Sequence, residues 1–129
     1  MLVHYSSVMI LAPALVAALL GRWPDAIIVS AQAAASSWHH STYSPTSLVV
    51  DRLALSAIVM RTILLAATTY ATMALFVFGF GYMFLMYSYG FYNKCFSFDP
   101  RPEVADRYHA SIHVVGAAIY ASSMLFFLE

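Results

Sequence analysis

Two short polar clusters interrupt a sequence that is otherwise strongly apolar. The first, SSWHHSTYSPTSLVVDR, runs from Ser36 to Arg52, and the second, DRYHASIH, runs from Asp106 to His113. Histidine, serine and aspartate are residue types that hold metal ions and transfer protons in enzymes. The chemistry open to this protein therefore depends on whether the two clusters meet in the folded chain.

The histidines of the two clusters have the spacing of a metal site. His109 and His113 are four residues apart, so on a helix both rings lie along one face and can hold the same ion. His40, in the first cluster, is the natural third ligand, because a catalytic zinc site has three protein ligands and one open position. The sequence thus predicts a zinc site formed by His40, His109 and His113.

Asp51 and Ser36 complete the set of residue types that metal-assisted hydrolysis requires. Asp51 is left free to accept a proton from a water molecule at the metal or to orient that water. Ser36 lies one helical turn before His40 on the same face, where its hydroxyl can bond a substrate oxygen or the aspartate. Asp51 and Ser36 are therefore the candidate catalytic residues.

The pattern of these five residues resembles that of the alkaline ceramidases. Ser36 is followed four residues later by a histidine and fifteen residues later by Asp51, and a His-x-x-x-His pair opens the last helix. The wider superfamily includes haemolysin III-like proteins and progestin/adipoQ receptors, which are seven-helix membrane proteins. The ceramidases hold zinc with three histidines and cleave a lipid amide. The resemblance implies zinc at the three histidines, acid/base catalysis by Asp51 and assistance by Ser36.

Composition indicates a membrane protein. Of the 129 residues, 62% are hydrophobic and 9% are charged, whereas globular proteins are about half apolar and a quarter charged. The net charge is zero and the basic residues are scattered, so no basic surface is predicted and we expect no nucleic-acid binding. The single cysteine, Cys95, cannot form an internal disulfide.

Apolar runs predict helices of the length that crosses a bilayer, about 20 residues each. We expect an all-α fold in one membrane domain, residues 1–129, with four to five transmembrane helices at about 1–21, 26–40, 48–61, 63–92 and 108–128. A single helix over 48–92 would extend about 67 Å, more than twice the hydrocarbon thickness. A turn near Arg61 and Thr62 divides this run, and one bent helix is the alternative.

The number of helices decides whether the two clusters share a site. With five spans, the end of the second span and the starts of the third and fifth spans lie at one membrane face. His40, Asp51 and His113 then meet there, with His4 nearby. If 48–92 is one helix, the second cluster lies at the opposite face and no shared site exists.

An accessory, non-catalytic subunit of a larger membrane complex is the function class that the sequence favours first. Arg61 has no acidic residue within helical reach, so a partner subunit, a lipid phosphate or another span must neutralise it, and we expect a partner. The small-residue stretch AQAAASS suits close helix packing against a neighbour. We expect other membrane subunits and lipid as partners, in an energy-transducing membrane such as that of the respiratory chain. The mitochondrial inner membrane is favoured over the endoplasmic reticulum or Golgi.

Two other function classes remain open from the sequence. One is a zinc-dependent lipid amidase of the alkaline-ceramidase type, or a degenerate relative of one. The other is a haem- or quinone-binding membrane anchor, in which one histidine from each cluster ligates a haem between helices. The spacing of the histidines does not choose between zinc and haem.

Overall fold

The computed structural model describes the backbone of residues 2–126 and the side chains of residues 5–126. Over these residues the chain is helical with no strand, which confirms the all-α fold. The helices join end to end into five rods. The rods are α1 (Leu2–Met9) with α2 (Leu11–Leu19), α3 (Trp23–Thr42), α4 (Pro45–Ala66), α5 (Tyr70–Phe84) continued by a π-helical segment (Leu85–Tyr89) and α6 (Gly90–Asn93), and α7 (Pro102–Phe126).

Two helices in the described range are long and apolar enough to cross a membrane. One is Tyr70–Phe98, with a mean hydropathy of 1.5, and the other is Pro102–Phe126, with a mean hydropathy of 1.3. A shorter apolar helix covers Tyr5–Leu19. The rods α3 and α4 contain 20 and 22 residues, the length that a span needs, but they carry more polar side chains.

The turn that divides the long apolar run does not lie at Arg61 and Thr62. Both residues lie inside α4, and the chain turns at residues 67–69 instead. A capping box fixes this turn, because the Thr69 hydroxyl accepts the backbone N–H of Thr72 and the Thr72 hydroxyl accepts the backbone N–H of Thr69. The run therefore forms two packed helices, and the alternative of one bent helix is wrong.

The last helix also begins earlier than the sequence analysis placed it. It starts at Pro102 rather than at Tyr108. Proline suits the first turn of a helix because it needs no N–H partner there, and Glu103 beside it favours the positive end of the helix dipole. Residues 1, 127 and 128 of the predicted spans and the side chain of His4 lie outside the described residues.

The five rods pass alternately in opposite directions and close into a ring. The first rod packs against α3 and α7, and the ring continues from α3 to α4, from α4 to α5 and from α5 back to α7. Contacts between α4 and α7 cross the ring. We call the end that contains His40 and His109 the histidine end, and the end that contains Asp25 the aspartate end. The end of α3 and the starts of α4 and α7 thus lie together at the histidine end.

A buried carboxylate ties the rods together at the aspartate end. Asp25, which is 1% exposed, accepts hydrogen bonds from Arg61 Nε at 2.6 Å, Arg61 Nη2 at 3.1 Å and the Tyr120 hydroxyl at 2.8 Å. Arg22 Nε donates a further bond at 2.9 Å. Asp25 lies on α3, Arg61 on α4 and Tyr120 on α7, so a single side chain joins three rods.

Arg61 is therefore neutralised within the chain and needs no partner subunit to supply the carboxylate. The expectation that another subunit packs against it stays a prediction. The carboxylate partner of Arg61 is 36 residues away, on the preceding rod. One face of the small-residue stretch of α3 is also covered internally, since Ala33 and Ala35 are 3% and 6% exposed, whereas Ala31 and Ala34 are exposed. The sequence could not show the ion pair of Arg61 or the burial of these alanines, because both depend on how the rods are rotated about their axes.

We predict that Asp25→Ala destabilises the protein strongly, because it leaves two arginine side chains without their shared carboxylate. Breaking a buried ion pair costs about 3–5 kcal/mol, and we expect roughly 3 kcal/mol here because the Arg61 side chain is 34% exposed. Asp99→Asn is the matched control, since the ion pair of Asp99 with Arg101 lies at the surface. Thermal unfolding in mild detergent measures both variants, and equal midpoints would contradict the assigned role of Asp25.

Candidate metal centre

Three histidines from two rods meet inside the ring at its histidine end. His40 lies near the end of α3, and His109 and His113 lie one turn apart on α7. The ring centroids are 5.0 Å apart for His40 and His109, 5.4 Å for His40 and His113, and 5.2 Å for the α7 pair. One ring nitrogen of each residue lies within 4.8 Å of the other two. The fold thus joins the two polar clusters.

The geometry of these nitrogens fits a single metal ion. Zinc binds imidazole nitrogen at about 2.0–2.1 Å, so two nitrogens on one tetrahedral ion stand about 3.3 Å apart. The nitrogens of the three histidines lie within 4.8 Å of one another, so they need to approach by at most about 1.5 Å to share one ion. Three imidazoles with one open position form the donor set of a catalytic zinc site. The ring centroids lie 5.0–5.4 Å apart, so the three side chains approach one common point.

Ser36 lies on α3, one turn before His40. It is 1% exposed, and its hydroxyl oxygen is 3.2 Å from that of Ser7 on α1. The two hydroxyls form a buried hydrogen bond in which either oxygen can donate. Ser36 is therefore held at a fixed position one turn from His40, on the same face of α3.

Asp51 lies on the neighbouring rod α4 and is 8% exposed. Its Oδ1 accepts a hydrogen bond of 3.1 Å from Gln32 Nε2. The carboxylate is not part of the group of ligand atoms within 4.8 Å of one another. Asp51 thus stands apart from the three histidines, which suits a proton-transfer group better than a ligand. Gln32, Ser36 and His40 occupy successive turns on one face of α3.

The sequence analysis missed three residues of this region. Ser6 Oγ is 2.8 Å from Nδ1 of His113, Ser7 bonds Ser36, and Gln32 bonds Asp51. The spacing of Gln32, one turn before Ser36, was a usable signal. No comparable signal marked Ser6 or Ser7, because their partners are remote in sequence.

An open pocket leads from the protein surface at the histidine end to the metal centre. Its volume is about 620 Å³, and its wall includes His40 and His109. Glu103 and Asp106 contribute carboxylates to the wall, and Ser97, in the link before α7, contributes a hydroxyl. Water can therefore reach the histidines from this end of the ring. The remaining lining residues are His39, Tyr43, Pro102 and Ala105.

The link that closes one side of the pocket contains an exposed ion pair. Arg101 donates to Asp99 through Nε at 2.9 Å, through Nη2 at 3.0 Å and through its backbone N–H at 2.9 Å. The hydrogen bonds from Arg101 lower the pKa of the Asp99 carboxyl to about 2. The pair stays charged at neutral pH and is part of the surface of the link.

Aromatic side chains cover the other side of His109. Tyr87, in the π-helical segment, stands edge-on to the His109 ring with centroids 6.2 Å apart. The guanidinium of Arg52 lies 4.8 Å from the centre of the Tyr87 ring and donates a hydrogen bond to its hydroxyl. A π-helical turn changes the direction of the side chains that follow it, and such turns are common at functional sites.

No family model, curated protein or solved structure matches this chain. The geometry of the site, together with the residue pattern, therefore carries the functional argument.

We predict that the purified protein binds about one zinc ion per chain and that His113→Ala abolishes this binding, because two ligands hold zinc much less tightly than three. His39→Ala is the matched control. His39 is next to His40 but lies outside the group of three, and its Nδ1 pairs with Ser47 Oγ at 3.2 Å. Elemental analysis after gel filtration gives the metal content. Equal zinc in the wild type and in His113→Ala would rule out the site.

Proposed function

We propose that this protein is an integral-membrane, zinc-dependent hydrolase that cleaves lipid amides. The observation that carries the proposal is the meeting of two polar clusters inside one ring of helices. Three histidines from two rods come together there, with a buried serine one turn from His40 and a buried aspartate on the neighbouring rod. The residues concerned are Ser36, His40, Asp51, His109 and His113.

We further propose that all five rods cross the membrane. Large apolar side chains are exposed on every rod, whereas Ser7, Gln32, Asp51 and Ser123 are buried inside the ring. A hydrocarbon solvent favours this distribution, because polar side chains in a bilayer turn towards the bundle interior. The exposed apolar residues include Leu15, Leu19, Ile27, Leu53, Leu64, Phe78, Phe84 and Leu125.

In this proposal the three histidines hold the ion through one nitrogen each. A bound zinc ion supplies a Lewis acid that polarises a carbonyl and lowers the pKa of a water molecule. Ser36, held by Ser7, donates a hydrogen bond to the carbonyl oxygen of the substrate. The roles of these side chains follow from their positions around one interior space.

Asp51 is the proton-transfer group of the proposed reaction. It takes a proton from the attacking water, whose oxygen forms the new bond to the carbonyl carbon, and gives that proton to the nitrogen as the C–N bond breaks. Gln32 donates to Oδ1 and thereby fixes the direction of the carboxylate. The products are a carboxylic acid and an amine, and one water molecule is consumed.

The choice of a lipid amide as the substrate class rests on two arguments. The pattern of the five site residues resembles that of the alkaline ceramidases, which cleave lipid amides. The site also lies within a ring whose outer surface is apolar, so hydrophobic substrates dissolved in the bilayer reach it most easily.

The accessory-subunit interpretation stays a prediction, but two features no longer argue for it. Arg61 pairs with Asp25, and Ala33 and Ala35 of α3 pack inside the chain. Neither feature needs a partner subunit or a particular organelle. The haem-anchor interpretation also stays a prediction, and we favour a single ion because three histidine rings lie close together.

We predict that Asp51→Asn keeps zinc and lowers amide hydrolysis by about 10²- to 10⁴-fold. The side-chain amide of asparagine cannot accept the proton of the attacking water. Asp99→Asn, at the exposed link, is the control and should keep wild-type activity. Release of fatty acid from a long-chain N-acyl amino alcohol in detergent micelles measures turnover, and elemental analysis confirms the zinc. Full activity of Asp51→Asn would contradict the assigned base, and a zinc-loaded wild type without lipid amidase activity would contradict the proposed function.

A further inference from the structure

The short helix α1 contacts the metal centre through the hydroxyl of Ser6. Ser6 is 6% exposed, and its Oγ lies 2.8 Å from Nδ1 of His113, which is 107 residues away in sequence. Ser6 has no part in the residue pattern that first indicated the site. Its contact is with a ring nitrogen of a candidate ligand, so its chemistry bears directly on how that ligand is oriented.

An imidazole ring offers a metal ion only one nitrogen at a time, and a hydrogen bond at the other nitrogen decides which one. When Nδ1 of His113 carries the proton, it donates to Ser6 Oγ and leaves the lone pair of Nε2 for the ion. We propose that Ser6 is a positioning residue of the metal centre that selects this tautomer of His113 and fixes its ring. The inference rests on the proposed zinc site.

The sequence of the first rod explains why Ser6 reaches His113. Pro13 has no N–H to donate, and its ring clashes with the carbonyl four residues earlier, at Met9. The helix α1 ends at Met9 and α2 begins at Leu11. Both α1 and α2 pack against α3 and α7, and the break between them changes the direction of the side chains of α1 relative to those of α2.

Adjacent hydroxyls on α1 have separate partners. Ser6 bonds His113 on α7, and Ser7 bonds Ser36 on α3. Successive helix residues point about 100° apart, so two neighbouring serines contact two different rods. Ser6 therefore contacts a candidate metal ligand, His113, whereas Ser7 contacts Ser36, which is outside the group of three histidines.

The test is the zinc affinity of the full-length protein in detergent, measured by competition with a chelator. Ser6→Thr and Ser6→Val have side chains of the same shape and differ in the hydroxyl. We expect Ser6→Thr to keep the wild-type affinity and Ser6→Val to bind zinc about 10- to 100-fold more weakly, the usual effect of losing a partner of a metal-bound histidine. Ser7→Ala is the control at the neighbouring position and should leave zinc affinity unchanged.

Two further measurements distinguish a positioning role of Ser6 from a structural one. Thermal unfolding without zinc should give the same midpoint for Ser6→Thr and Ser6→Val. ¹⁵N NMR of labelled histidine should show Nδ1 protonated at His113 in the zinc-loaded wild type and in Ser6→Thr.

The outcomes distinguish the inference from the proposed function. A wild-type protein that binds no zinc contradicts both. Equal zinc affinity of Ser6→Thr and Ser6→Val overturns the inference and leaves the proposed function standing. An equal loss of affinity in Ser6→Val and Ser7→Ala also overturns it, because that result assigns α1 a structural role only.

Discussion

The carboxylate of Asp25 is the interaction on which the rest of the bundle depends. It accepts bonds from Arg22, Arg61 and Tyr120, and so joins α3, α4 and α7 at one end of the ring. An unpaired buried carboxylate would cost several kcal/mol, and the donors offset that cost only while the three rods stay together. The packed residues around it exclude water, and the deepest of them are Ala17, Val29, Leu65 and Met124.

Closure at the aspartate end defines the site at the histidine end. Over the described residues, the backbones of α3 and α7 do not pack directly, although His40 of α3 contacts both His109 and His113 of α7. The Tyr120 bond to Asp25 fixes how α7 is placed against α3, and this in turn fixes which side chains face each other across the ring. The distance between α3 and α7 at the histidine rings therefore depends on the Tyr120–Asp25 bond at the opposite end of the bundle.

The sequence predicted what depends on chain direction and helical spacing. The His109–His113 pair follows from an i, i+4 spacing, and its approach to His40 follows from an odd number of rods. The turn at residues 67–69 and the Arg61–Asp25 pair were not predicted. In helices with apolar residues on all sides, the lipid-facing and core-facing surfaces look alike, so the sequence does not give the rotation of each rod about its axis.

The two buried aspartates show how the same residue type can have opposite roles. Asp25 accepts four hydrogen bonds from three donor residues, which fills the capacity of its two oxygens. Asp51 accepts one bond, from Gln32, and the Oε1 atom of that glutamine is buried with no partner among the described residues. A carboxylate whose lone pairs are all used can only hold the fold together, whereas one with unused lone pairs can accept a proton from a water or a substrate. The distribution of donors therefore suits Asp25 to a structural role and, in the proposed function, leaves Asp51 able to transfer protons.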